Sequence, residues 1–230
     1  MPSLKVIRLT RPLASGRSWL EDGIVQTDPL GGFALLPASF APVYCGEAFR
    51  VFCSFDAKDA TKVSFEAVLH APSGKVVLIP YGESEEPVEE FGRIISTELT
   101  NAGTYQLQVT VRYVLHGQAE EIRKLYRFAA TRAFNVRTKI QTSGSNMFVE
   151  SQIENLTHEN LLVKRAQLVH EDELSPMDSL NPVEKVLMSH DVFQWVFCIP
   201  AREKVGRLKI QWQSLSGKSG NIMTGPLKAR

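Results

Sequence analysis

Between Asn101 and Leu115 the chain reads NAGTYQLQVTVRYVL. Tyr105, Leu107, Val109, Val111, Tyr113 and Leu115 take every second position, and Thr104, Gln106, Gln108, Thr110 and Arg112 stand between them. Period two scatters apolar groups around a helix but gathers them on one face of a strand, so this is a strand with one side in a core and one in water. Asn101-Ala102-Gly103 ahead of it is turn chemistry, and Tyr105 follows the glycine by two. That is the arrangement of a tyrosine corner, in which the ring packs inward and the hydroxyl ties back to nearby backbone. In immunoglobulin-type domains the position two beyond that tyrosine often holds a disulfide cysteine. Here it is Leu107. The stretch therefore predicts an immunoglobulin-like sandwich built without its disulfide.

The rest of the chain supplies further strands. Leu4–Thr10 is β-prone and stopped by Pro12; residues 13–32 carry Gly16, Gly23, Pro29 and Gly31-Gly32 as breakers; Phe33–Pro37 is a short strand. Phe49, Val51, Cys53 and Phe55 alternate with Arg50, Phe52, Ser54 and Asp56, which places Cys53 on the apolar side, opposite Leu107 and without a bonding partner. Tyr105, Leu107 and Cys53 are thus structural residues, and Cys53 is expected to be an inert buried thiol. Val63–His70 and Lys75–Ile79 flank a hairpin-like loop, and residues 80–92 read as a solvated loop carrying five glutamates. Ile94–Leu99 and Arg123–Ala130 complete a first unit.

A second cycle follows with no Gly/Pro linker: Ala133–Gln141, Met147–Asn155 and Leu161–His170 are successive strands. Residues 171–191 form a non-strand insertion, with Val183–Ser189 a candidate short helix placing Leu180, Glu184 and Leu187 near one face. A loop covering an open end of the second sandwich is the other reading of this insertion. Val192–Ile199, apolar on both faces, is expected to be a central buried strand. Val205–Gln213 and Asn221–Lys228 pair across Ser216–Gly220. The pattern predicts an all-β chain of two consecutive immunoglobulin-like β-sandwich domains, 1–132 and 133–230, the second with the 171–191 insertion.

Charge and cysteine content narrow the function. The 26 basic and 25 acidic residues leave a net charge of +1, so nothing favours nucleic acid as a partner. Lys5, Arg8 and Arg11 interrupt the amino-terminal apolar residues, which excludes a signal-peptide core, and no apolar run is long enough to span a bilayer. Three scattered cysteines, Cys45, Cys53 and Cys198, make no disulfide framework, and a cytosolic protein is expected. The acceptor pattern Asn155-Leu156-Thr157 would then go unglycosylated.

Catalytic chemistry finds little support. Gly217-Lys218-Ser219 lacks the glycine a phosphate loop needs five residues earlier, where Trp212 stands, and it lies between strands, so it reads as a turn. His70, His116, His158, His170 and His190 share no metal-ligand spacing. Cys198, inside the most apolar strand, is a poor nucleophile candidate. Glu150, Gln152 and Glu154 fit a solvated sheet face, and Trp19, Trp195 and Trp212 fit core. The expectation is no catalytic residue, no cofactor-binding or metal site, no small-molecule substrate and no membrane insertion.

Four blocks carry a resemblance: LKVIRLTRP at Leu4–Pro12, LPASFAPVYCGEAFRVFCSF at Leu36–Phe55, the run from Gly103 to Lys139, and MFVESQIENLT at Met147–Thr157. A fainter echo covers Gly206–Leu227. Together, in consistent order, these blocks resemble the trafficking protein particle (TRAPP) complex subunit 13 family. The resemblance implies a non-catalytic peripheral subunit of a TRAPP III-type vesicle-tethering and Rab guanine-nucleotide-exchange complex, acting in ER-to-Golgi traffic and autophagy. It implies other TRAPP subunits as partners, above all the large arm subunits, and a cytoplasmic protein held at Golgi and early secretory membranes through the complex. Members of the family resembled continue into a further C-terminal sandwich that a chain ending at Arg230 would lack. The competing reading is an arrestin-like or retromer-like cargo adaptor, which would bind membrane-protein tails at a sheet edge.

Overall fold

A computed structural model describes residues 2–10, 34–35, 42–57, 60–79, 83–84, 90–170, 176–181 and 184–228. Every regular element among them is a strand. They fall into two compact units, one with the described residues up to Tyr44 and Ala48–Thr131, the other with Cys45–Glu47 and Arg132–Arg230.

In the first unit, β1 (Ser3–Thr10), β2 (Ala34–Leu35), β4 (Ala48–Asp56) and β8 (Glu90–Glu98) make a sheet in the order β2-β1-β4-β8. The facing sheet runs β3 (Val43–Tyr44), β10 (Gln118–Thr131), β9 (Gly103–Leu115), β5 (Thr61–Ala71) and β6 (Gly74–Ile79), with β7 (Glu83–Ser84) paired to β5. The acidic stretch is therefore partly strand: Glu83–Ser84 pair with Val63 and Ser64, and Glu90 already belongs to β8. β4 buries Phe49, Val51, Cys53 and Phe55, and β9 buries the alternate set from Tyr105 to Tyr113. The two sheets share this core. The Phe128 ring stacks on Phe49 at 4.8 Å and on Tyr105 at 5.6 Å, while Phe55 meets Tyr113 at 5.0 Å. Each such side chain contributes about 1.5–3 kcal/mol by leaving water.

β10 begins earlier than the apolar residues suggested, at Gln118. His116 and Gly117, with φ of 51° and 82°, form a two-residue turn whose twist matches that of the strands it joins. The β9–β10 ladder is unbroken from Leu115↔Gln118 to Gly103↔Ala130.

The second unit packs β11 (Phe134–Ser143), β12 (Asn146–Asn155) and β16 (Val192–Pro200) against a sheet of β13 (Leu161–Val169), β17 (Lys204–Ser214) and β18 (Ser219–Met223). Trp195, Phe197 and Ile199 from one sheet and Leu168, Leu208, Ile210 and Trp212 from the other are buried, with Phe134 edge-on to Trp212 at 6.2 Å. The expected final strand Asn221–Lys228 is two pieces, because β18 and β19 (Leu227–Lys228) pair with opposite ends of β17.

Two expectations fail here. Val192–Ile199 is an edge strand, not a central one: among the described residues β16 pairs only with β12, and Val192, Gln194, Cys198 and Pro200 lie exposed on its outer face. The insertion is not free of strands either, and Lys185–Leu187 is not helical. β14 (Met177–Asp178) and β15 (Lys185–Leu187) pair along β13, since an open sheet edge satisfies their backbone groups better than an isolated turn of helix would. Between them, Leu180 N–H donates to the Val196 carbonyl at 2.8 Å and the Val196 N–H donates to Asn181 Oδ1 at 2.8 Å. The insertion thus flanks one sheet and caps the edge of the other.

Candidate docking surfaces

The residues singled out from the sequence lie inside. Tyr105 is 2% exposed; its hydroxyl donates to the Asn101 carbonyl at 2.8 Å and accepts from the Asn101 N–H at 3.3 Å. Leu107 and Cys53 are both fully buried, on facing sheets, and Cys53 is a free thiol. Burial pushes that thiol up to about 12, far from a reactive thiolate. Cys45 is also buried and shifted upward, burial outweighing the nearby Arg132 charge. Cys198 differs from expectation: it is exposed, because β16 turns its Val192–Cys198 face outward.

His158 and His190 stand edge to face at 5.8 Å, and no group of three or more metal-ligating side chains occurs among the described residues. The acceptor Asn155 is fully buried. Its Nδ2 donates to the carbonyls of Glu159, Leu187 and Met188, and its Oδ1 accepts from the N–H and hydroxyl of Thr157. A side chain so occupied ties the β12–β13 loop to β15 and offers nothing to a transferase in the folded chain. Trp19 and most of the residue 80–92 loop lie outside the described residues.

The Ser216–Gly220 turn holds a residue whose position the sequence did not signal. Lys218 is buried, its side chain 3% exposed, and its ammonium pairs with Glu159 of the β12–β13 loop, which also accepts from Ser216 Oγ at 2.8 Å. Burial would raise the Glu159 carboxyl. The hydrogen bonds from Lys218 and Ser216 and the lysine's charge outweigh that and hold it below its usual value.

What remains for a partner is surface. The capped edge carries large apolar groups in the open: Leu180 and Met188 are 68% and 62% exposed, with Val186 and Val192 also outward. Beside Val192, a hollow of about 240 Å³ is lined by Asn135, Arg137, Gln152 and Glu154, with Asn135 Nδ2 donating to Glu154 Oε2 at 3.0 Å. Apolar side chains rimmed by polar ones are the composition of a protein-docking surface. No helix among the described residues is long and apolar enough to cross a membrane.

Residues 1–130 match the family model described as trafficking protein particle complex subunit 13, N-terminal. A Caenorhabditis elegans protein named as a probable trafficking protein particle complex subunit 13 homolog is 24% identical, over 88% of this chain and 57% of its own length. The protein so named from Drosophila melanogaster is 25% identical over 98% of this chain and 64% of its own. Trafficking protein particle complex subunit 13 of Rattus norvegicus is 22% identical over 98% and 68%. The chain spans little more than half the length of the nematode relative.

Proposed function

The chain belongs to the trafficking protein particle complex subunit 13 family, and from that premise we propose that it is a non-catalytic subunit of a TRAPP-type vesicle-tethering complex. The observation that carries this reading is the family match over residues 1–130, backed by relatives of the same name aligned along most of the chain. Within it, the chain acts at the periphery of a TRAPP III-type assembly that promotes nucleotide exchange on a Rab GTPase in ER-to-Golgi traffic and autophagy. It touches other TRAPP subunits, the large arm subunits first, and reaches Golgi and early secretory membranes through them. The surface we assign to docking is the capped edge of the second unit around Leu180, Met188 and Val192, where apolar side chains stand open to solvent.

Affinity purification of the tagged full chain from cells, followed by mass spectrometry, tests this. Recovery of TRAPP subunits in fixed ratio is expected. Recovery of membrane-receptor or retromer components without TRAPP subunits would sink it and favour an arrestin-like cargo adaptor.

A further inference from the structure

β19 meets β17 in the register Lys204↔Lys228 and Gly206↔Leu227, with one residue of β17, Val205, bulged between. Residues directly opposite on antiparallel strands project from the same face, so two ammonium-bearing chains stand side by side. Like charges so placed destabilise a strand pair, and an opposite charge is the usual arrangement. The same two lysines border a cavity of about 230 Å³ together with His170, Arg207 and Leu227, and no carboxylate belongs to its described lining.

The backbone holds this cavity open. Val205 is fully buried, which anchors the bulge, and Gly206 adopts φ of 107°. A Cβ on Gly206 would lie 2.5 Å from the Val169 carbonyl oxygen, so only glycine lets β17 approach the end of β13 this closely. That approach puts His170 Nε2 3.1 Å from the Lys204 carbonyl oxygen and fixes the imidazole at the rim. Bulges of this kind re-aim side chains next to binding sites.

We propose that this cleft binds a phosphate group, with Lys204 and Lys228 supplying charge-assisted hydrogen bonds to its oxygens. The volume lies below the ~300–1,000 Å³ common for drug-sized ligands, and suits a phosphate or a small phosphorylated headgroup. Inorganic phosphate and a phosphoinositide lipid share that chemistry. The inference rests on the strand register and the cavity, and stands or falls separately from the complex-subunit reading.

Thermal unfolding of the full chain is measured in inorganic phosphate and in sodium chloride of matched ionic strength. The expected result is a saturable rise in Tm with phosphate over the chloride control. In Lys204→Glu the rise disappears, while Tm without phosphate exceeds that of the unaltered chain, because an opposite-charge pair replaces a like-charge one. Flotation with phosphatidylcholine vesicles, with and without phosphatidylinositol 4-phosphate, separates the sources. Binding to the phosphoinositide vesicles that Lys204→Glu weakens by about tenfold or more assigns the phosphate to a lipid, and a response to inorganic phosphate alone assigns it to a soluble ligand. The proposal is overturned if neither probe acts beyond its control. It is overturned equally if Lys204→Glu responds as the unaltered chain does.

Discussion

The buried ammonium of Lys218 is neutralised by Glu159, 59 residues earlier in the chain. The lysine has almost no access to water, whereas the Glu159 side chain remains 28% exposed. Removing one partner is therefore not equivalent to removing the other.

Lys218→Met keeps the aliphatic stem and leaves a carboxylate that can still hydrate, at a cost of about 2 kcal/mol; Glu159→Gln takes the negative charge from beside an enclosed ammonium and costs about 3–5 kcal/mol. The Glu159 carboxyl is depressed in the folded chain, so its contribution is complete above the unfolded value of about 4.3 and is lost as pH falls through the lower folded value. Urea unfolding of the native chain and Lys218→Met should differ in full at neutral pH and converge on acidification below about pH 4. A difference that stays constant to lower pH would show that the lysine stabilises by packing alone.

Thiol accessibility divides the three cysteines. Cys53 and Cys45 are buried with thiols pushed upward, and Cys198 is exposed on the outer face of β16. Titration with a thiol-reactive chromophore at mildly alkaline pH should release one equivalent from the native chain and three in denaturant. Replacing Cys198 by Ser should bring the native count to zero. Fast native reaction at Cys53 would contradict its place between the sheets.

Tyr105→Phe tests the corner at the start of β9. The variant keeps the ring against Phe128 but deletes the hydroxyl that both donates to and accepts from Asn101. Asn101 lies at the surface, where water can replace part of the loss, so the expected cost is about 1 kcal/mol, seen as a fall in Tm. Tyr105→Leu, which also loses the ring stacking, should cost about 2 kcal/mol or more.

Much of this fold is legible in the residues because local pattern and tertiary environment agree. The alternation from Tyr105 to Tyr113 survives intact as the inner face of β9, and the Tyr105 hydroxyl finds the Asn101 backbone as the turn chemistry required. The failures have one cause: residue types report what a face is made of, not what lies beside it. Val192–Ile199 carries apolar groups on both sides, yet its second face is surface and its free edge is capped by Leu180 and Asn181. Gln118–Glu121 carries no large apolar residue because both faces of β10 are wet there; the His116-Gly117 turn was the available signal. Nothing near Lys218 in a Ser/Gly turn announces burial, since its counter-charge comes from a distant loop. The Lys204↔Lys228 register was equally out of reach, since the last segment reads as one strand when it is two.

The His116-Gly117 turn also sets an order of events. It brings Leu115 to Gln118, three positions apart, and the rest of the β9–β10 ladder can zip from that point by adding one pair at a time. The nearest pair of β13 with β17, Val169↔Arg207, closes a loop of 207 − 169 = 38 positions. At about 0.6 kcal/mol for each doubling of loop length, that closure carries roughly 2–3 kcal/mol more entropy loss. The hairpins, β9–β10 and likewise β11–β12 from Ser143↔Asn146, should therefore form before the distant β13–β17 pairing. In pulse-labelled hydrogen exchange during refolding, the amides of Val109, Val111 and Ile122 gain protection before those of Val163 and Ile210. Simultaneous protection would mean that the distant strands meet as readily as the adjacent ones.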